Sequence, residues 1–294
     1  MEKLLTIFTP AYNRAHTLPR TYESLKQQSC KDFIWLIVDD GSVDNTRELV
    51  KQWQENEKEF EIRYIYKKNG GMHTAHNVAY ENIDTELNVC IDSDDKMTAG
   101  AVEKIKKTWL SVRNQGYAGL IGLDADMNTG KVLGKAFPDG LKTTTIRGYY
   151  ASGGSGDKKL VYRTDIINSV PAYPVFENEK YVGLGYKYTL IDQKYDLYVI
   201  NEVLCDVEYQ QDGSSNTMWR QYLKNPKGFA FIRKVEMQYP ITVKRMVVEC
   251  IHYCSSSQIA KNRRYIQESP RKLLTVLCTP FGWGLTWLIK RRAK

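Results

Sequence analysis

The sequence predicts an α/β fold: a mixed, mainly parallel sheet flanked by helices and followed by a helical C-terminal extension. Three observations carry that prediction. Short runs rich in Ile, Val, Leu and aromatics recur at residues 3–9, 33–39, 62–66 and 87–92, each closed by turn residues. The stretches between them have the length of crossover helices, and strand–helix–strand order favours parallel neighbours. Polar residues also gather where the runs end, in "TPAYNR" (9–14), "VDDGSVDNT" (38–46) and "NVCIDSDDKM" (88–97). Open α/β sheets bind ligands at the carboxyl ends of their strands.

Taken in order, "KLLTIFT" opens the sheet; it has no small-residue cleavage site after it and reads as a strand, not a signal peptide. "FIWLIVD", "IRYIY" and "LNVCID" supply the next three strands. Beyond residue 100, Val102, Ile105, Trp109 and Val112 recur at spacings of 3, 4 and 3, which lines one helix face. From about residue 116 the pattern shifts to "GYAGLIGLDAD", "KKLVYRT" and "DLYVINEVLCDVEY", further strands among Gly-rich loops. After "QQDGSSN" the chain becomes largely helical. Residues 1–215 are expected as one domain, in halves 1–115 and 116–215, with 216–294 as the extension.

Composition sets bounds on function. At 294 residues the chain can hold one large domain with an appendage, and 42% apolar with 26% charged residues excludes wholesale disorder. Six scattered cysteines without an export signal predict reduced thiols and a cytoplasmic setting. Cys250 and Cys254 flank His252, but no second ligand pair lies near, so helical i, i+4 packing is expected over zinc. The formal charge is +8, and basic residues concentrate at 258–294, which points to an anionic partner for that end.

Each strand end has a bland reading. Asp44 and Thr46 can cap the following helix, Asp40–Gly41 can be a turn, and Gly70–Gly71 can reverse the chain. Together they converge on one sheet edge, and that edge suits a nucleoside diphosphate. Tyr12 can stack on a planar base whose N–H a carboxylate such as Asp40 accepts. Asp92 can accept from ribose hydroxyls. A divalent cation takes one or two carboxylates plus phosphate oxygens, which suits Asp94, and it stabilises charge on a departing phosphate. Asp95 has two readings, the start of the next helix or a second site carboxylate.

In this order and spacing, "TPAYNR", "VDDGSVDNT", the "NGG…AHN" segment and "IDSDD" resemble the family 2 glycosyltransferases of the GT-A fold. The likeness is close over residues 3–115 and looser to about 215. It implies Mg²⁺- or Mn²⁺-dependent, inverting transfer of a sugar from a nucleotide-sugar donor, a UDP-sugar, with 1–115 as the nucleotide-binding half and 116–215 as the acceptor half. By position it implies that Thr9, Ala11 and Tyr12 flank the base, Asp40 binds it, Asp92 holds ribose or donor sugar, and Asp94 binds the metal. Asn69, Ser93 and His76 complete the nucleotide-sugar set; His76 stands where relatives often carry an Arg near the diphosphate.

Inversion in one step needs a general base for the acceptor hydroxyl. The family's acidic residue falls in a region matching "PVFENEKYVGLGYKY" (174–188), where Glu179 is the first choice and Glu177 the second. Gly183, Leu184 and Gly185 stand where similar chains often have a Glu, and Asp157 and Asp212 are remote candidates. The processive members' QxxRW motif is absent, which implies one sugar per acceptor, a lipid-linked or polysaccharide precursor. A catalytically idle module that binds a nucleotide sugar or a protein is the rival reading.

Residues 273–289 are apolar but interrupted by Pro280, Gly282 and Gly284, with basic residues on both sides and Trp283 and Trp287 within. An element lying on the inner face of the cell membrane, held by anionic lipid, explains these features together. A buried helix or a homo-oligomer contact is the alternative. No nucleic-acid motif accompanies the basic residues, so nucleic acid is not expected as a partner.

Overall fold

The computed structural model describes residues 3–208 and 217–293, divided into two compact units: 1–171 with 191–208, and 172–190 with 209–294. The first opens with β1 (Leu5–Ala11), α1 (Leu18–Lys26), β2 (Phe33–Asp39), α2 (Thr46–Asn56), β3 (Glu61–Tyr66), α3 (Met72–Asn82) and β4 (Leu87–Cys90). Then come β5 (Lys96–Met97), α4 (Ala101–Val112), β6 (Gly119–Asp126), β7 (Thr143–Thr144), α5 (Ile146–Ala151), β8 (Lys158–Arg163) and α6 (Thr164–Asn168). After α7 (Gly185–Ile191), β9 (Leu197–Val207) completes a sheet of nine strands among the described residues.

The strand order is β3-β2-β1-β4-β8-β6-β9-β5, with β7 on β9. β1 pairs parallel with both β2 and β4, and β2 with β3; β8 runs antiparallel between β4 and β6. The chain leaves β1 toward β2 and β3, then returns to its other side at β4. Such a reversal is where open α/β sheets bind ligands, and "TPAYNR" and "IDSDD" follow at the carboxyl ends of β1 and β4. Every residue of β1 and β2 is buried, which is why these strands read as continuous apolar runs without alternation. α4 turns Val102, Ile105, Trp109 and Val112 into the core, as their spacing requires. Burying each such side chain contributes about 1.5–3 kcal/mol.

In the second unit, residues 172–190 fold with α8 (Met218–Lys224), α9 (Pro226–Gln238), α10 (Val243–Ile259), α11 (Tyr265–Glu268) and α12 (Lys272–Arg292). The expected extension from residue 216 therefore also takes in the segment carrying "FENEKYVGLG". Hydrogen bonds make that link: the Lys180 N–H donates to Asn225 Oδ1 at 2.7 Å, and Glu179 accepts from the start of α9. Met237, Cys250, Tyr253, Cys254 and Cys278 form this unit's core. Cys250 and Cys254 pack there one helical turn apart, and all six cysteines are free thiols.

Candidate functional site

The two aspartates at the end of β2 do different work. Asp39 is fully buried, its Oδ1 accepting from the Ser42 N–H at 2.7 Å and its Oδ2 from the Tyr64 hydroxyl. Asp40 pairs with Lys67 and accepts from the N–H groups of Gly70 (2.9 Å) and Gly71 (2.7 Å). Asn69 donates to the Asp40 carbonyl at 2.7 Å. Gly41 makes this closeness available: its φ is +85°, and a Cβ there would lie 2.7 Å from the Asn69 nitrogen. Asp40 thus ties down the Gly-Gly loop, which is more than chain reversal.

Tyr12 is 47% exposed at the end of β1, leaving its ring open to a stacking partner. Thr9 and Ala11 are buried, and the Thr9 hydroxyl accepts from the Trp35 indole N–H at 3.0 Å. A base beside them would meet backbone. Asn13, in the left-handed region at φ +54°, bridges to the next loop: its Oδ1 accepts from the Val43 N–H at 2.9 Å and its N–H donates to Ser42 Oγ at 2.8 Å. Asp44 accepts from the Thr46 hydroxyl (2.6 Å) and the Ala15 N–H (3.1 Å). Burial works to raise its carboxyl, but those bonds hold it below the usual range. It is a turn organiser.

After β4 the acidic residues separate by environment. Asp92 is half-buried with Cys90 Sγ at 3.7 Å, and Cys90 Sγ in turn lies 3.7 Å from His76 Nε2. Ser93 is buried. Asp94 is half-buried; burial and the Asp92 charge raise its carboxyl, with Arg14 and Arg20 acting in the opposite direction. Arg20 also donates to the Asp94 carbonyl and pairs with Glu208 at 2.8 Å. Asp95 is buried, its Oδ1 taking the Glu208 N–H at 3.3 Å and its carbonyl the Thr21 hydroxyl at 2.7 Å. The helix-start reading of Asp95 is corrected: residues 96–97 pair with β9, and α4 begins only at Ala101 with Gly100 as its cap.

Behind the knot lie two residues that sequence reasoning missed. Lys159 on β8 and Asp124 on β6 are both buried, Nζ to Oδ1 at 3.7 Å. Burial pushes the Asp124 carboxyl up to about 6 against the pull of Lys159. Burial also opposes the Lys159 charge, yet Asp124, Cys205, Asp95 and Asp92 hold its pKa well above the usual value. The available signal was slight: Lys159 stands second in the strand run KKLVYR and Asp124 follows the apolar GLIGL. Arg14 and Arg20, cations near Asp94, were also missed.

His76 is placed inside the unit, edge-on to Phe8 with centroids 5.0 Å apart and its Nδ1 3.3 Å from the Tyr80 hydroxyl. A diphosphate contact from this ring would need it to leave that packing. His73, one turn earlier, is also buried; burial lowers its pKa to about 4, against the opposing pull of Asp40.

Among the described residues, no three His, Cys, Asp or Glu side chains group to hold a metal unaided. A donor set of one or two carboxylates completed by phosphate oxygens needs no such group. Asp94 with Asp92 beside it fits that chemistry, because a cation favours the ionised carboxylate that burial, and then the Asp92 charge, disfavour at Asp94.

Of the base candidates, Glu179 is buried and spans the start of α9, Oε1 accepting from the Lys227 N–H (2.9 Å) and Oε2 from the Gly228 N–H (2.8 Å). That is a helix N-terminus holding an anion. Glu177 and Asp157 are exposed. Asp212 lies outside the described residues.

A mixed sheet whose topological switch carries an aspartate cluster is the architecture of the GT-A class, the fold of nucleotide-diphospho-sugar transferases. The chain belongs to glycosyl transferase family 2, whose family model matches residues 6–167. It is similar to the putative teichuronic acid biosynthesis glycosyltransferase TuaG of Bacillus subtilis, 32% identical over 101 residues, which is 34% of this chain and 40% of that protein. The match thus spans less than half of that relative's length. A solved structure of S. aureus TarS (residues 1–349) in complex with UDP-GlcNAc shares the fold at a TM-score of 0.58 and 14% identity, covering 98% of this chain and 90% of that one. The mannosyltransferase PcManGT from Pyrobaculum calidifontis, in complex with GDP-Man and Mn²⁺, does so at 0.56 and 15%, covering 98% and 82%.

Proposed function

We propose that this chain transfers a single sugar, with inversion and with a divalent cation, from a UDP-sugar to a lipid-linked or polysaccharide precursor at the inner face of the cell membrane. The observation that carries it is the pair Asp92–Asp94 at the switch point, with the exposed Tyr12 ring and the Asp40 loop at neighbouring strand ends. In this reading Tyr12 stacks on the base, Asp40 meets its N–H, Asp92 accepts from ribose or the donor sugar, and Arg14 lies toward the phosphates. Asp94 holds Mn²⁺ or Mg²⁺, which when bound offsets charge on the departing diphosphate. The assignment of TuaG to teichuronic acid biosynthesis and the UDP-GlcNAc held by TarS support the acceptor and donor classes.

Glu177, exposed to solvent, takes the part of general base, since both oxygens of Glu179 are engaged by α9. That same engagement favours a second reading, a module that binds nucleotide sugar without transferring it. The test is a nucleotide-sugar panel with Mn²⁺, followed by calorimetric binding and turnover. Asp94→Asn should cut Mn²⁺-dependent turnover at least a hundredfold, in the range of lost electrostatic stabilisation, and leave the fold intact. Full activity in that variant removes the metal role. Donor binding with no transfer to any acceptor, in the parent and in Glu177→Gln alike, selects the second reading.

A further inference from the structure

α12 is built inside out. At roughly 100° per residue, Leu273, Val276, Leu277, Phe281, Trp283 and Trp287 fall within roughly 80° of one line along the helix. Thr275, Cys278, Gly282, Thr286 and Ile289 fall within roughly 40° of the opposite line, and it is this second set that is buried. The buried face is small and polar. Thr286 Oγ1 lies 2.9 Å from Ser255 Oγ, and Thr275 Oγ1 lies 3.5 Å from Cys250 Sγ, both partners on α10. Gly282 lets the two helices close, since a Cβ there would sit 2.4 Å from Cys254 Cβ. The outward face carries Leu273 at 84% exposure, Leu277 at 69%, Phe281 at 65% and Trp287 at 63%. A helix of a water-facing unit has the reverse arrangement. Small and hydroxyl residues inward with apolar ones outward are what a lipid environment selects.

Charge says which apolar environment. Arg271 and Lys272 begin the helix and Lys290, Arg291 and Arg292 end it, all exposed, and residues 271–294 contain no Asp or Glu. Arg291 stacks over Trp287 at 5.5 Å, placing a cation beside an interface-preferring ring. A protein partner would need acidic residues at two places roughly 30 Å apart along the helix; an anionic leaflet presents negative charge everywhere. Spanning is disfavoured by the cations at both ends. It is disfavoured too by Arg245 on α10, which pairs with the buried Glu249 at 2.6 Å but is itself more than half exposed, a charge that hydrocarbon would not solvate.

We propose that α12 is an in-plane anchor, seating its outward stripe at the interface of an anionic lipid leaflet while its inner face stays on α10. This rests on the membrane placement proposed above and deepens it, but does not depend on the transfer chemistry. The full chain should float with vesicles of phosphatidylcholine containing a third phosphatidylglycerol and not with phosphatidylcholine alone. Tryptophan emission should shift to the blue and be quenched by shallow brominated lipids in the parent, and much less in Trp283→Phe/Trp287→Phe. Lys290→Gln/Arg291→Gln should weaken partitioning roughly thirtyfold, at about a tenfold per 1.4 kcal/mol and about 1 kcal/mol per basic residue. Leu277→Asp/Phe281→Asp should abolish it with an unchanged melting temperature, because both side chains are exposed. Four results overturn the proposal: no vesicle binding, equal binding to neutral vesicles, protection of Arg291 and Arg292 from trypsin inside sealed vesicles, or a soluble dimer that Leu277→Asp/Phe281→Asp dissociates without affecting vesicle binding. Calorimetry with UDP-sugars on the same samples reads the transferase proposal separately, so either idea can fail alone.

Discussion

Glu179 offers the sharpest test, because one side chain was expected to act as a base and the structure employs it as a helix cap. Glu179→Gln removes the charge and keeps the shape. Its two oxygens accept from Lys227 and Gly228 at 2.9 and 2.8 Å, each bond to a charged acceptor contributing about 1.5–3 kcal/mol. Gln retains one acceptor, now neutral, which forfeits about 1 kcal/mol. Its amide N–H₂ faces the other backbone N–H, leaving a buried donor without a partner at about 1–3 kcal/mol. The sum is about 2–4 kcal/mol, a fall in melting temperature on the order of 5–15 °C. Urea and thermal denaturation followed by circular dichroism measure it, with turnover assayed well below the new midpoint. Cap and base separate cleanly: if turnover collapses while stability stays within about 0.5 kcal/mol of the parent, the capping argument is refuted and Glu179 is the base.

Lys159→Met should destabilise by about 3–5 kcal/mol, because it leaves buried carboxylates without their cation; adding Asp124→Asn should recover part of that loss, and a neutral single substitution defeats the argument. His73 fixes the sign of a pH effect. Its pKa falls from 6.5 to about 4 on folding, so the unfolded chain binds more protons. Its contribution is present above pH 6.5 and lost as pH falls toward 4; His252 is lowered to about 4 in the same sense, again chiefly by burial. Urea midpoints across that window should fall with acid, and less steeply in His73→Phe; an equal slope removes His73 from the account. Gly282→Val should cost about 1–3 kcal/mol by overpacking against Cys254, whereas Gly284→Val, two residues on with open space around it, should not destabilise. Equal effects of the two would mean that α12 does not lie on α10 as described.

Much of the sheet was legible because doubly covered strands announce themselves as unbroken apolar runs. Phe33–Asp39 was expected with the bounds it has, and the face of α4 followed from four residues. The edge at which the candidate site lies was legible too, since Asp40, Asp92 and Asp94 follow strands whose parallel order fixes a common end. What was hidden depends on partners distant in sequence. Lys159 looks like any strand lysine until β8 is inserted between β4 and β6. Glu179 looks like a solvated loop charge, and only α9, some 48 residues on, makes it a cap. The boundary at 216 failed to include residues 172–190 for the same reason. Of the two readings of Asp95, the helix start failed through a local habit, acidic residues before a helix; a two-residue strand stood between.

The acidic knot in a basic chain now has a charge balance that bears on ligand order. Lys159 faces Asp124 and Asp95 from within the sheet, so those carboxylates have an internal cation. Asp94 remains the carboxyl that burial and the Asp92 charge raise, with Arg14 and Arg20 only partly offsetting them. A diphosphate arriving alone would add negative charge beside Asp92 and Asp94. A divalent cation arriving alone would find two carboxylates and water. Each ligand supplies what the other lacks, so they should bind cooperatively, and linkage requires the coupling to be equal in both directions. Calorimetry should show Mn²⁺ tightening UDP by the factor, of order 5–150, with which UDP tightens Mn²⁺. Asp94→Asn should bring that factor close to one while the fold persists. A UDP affinity indifferent to Mn²⁺ would leave the Asp92–Asp94 repulsion without a ligand to explain it.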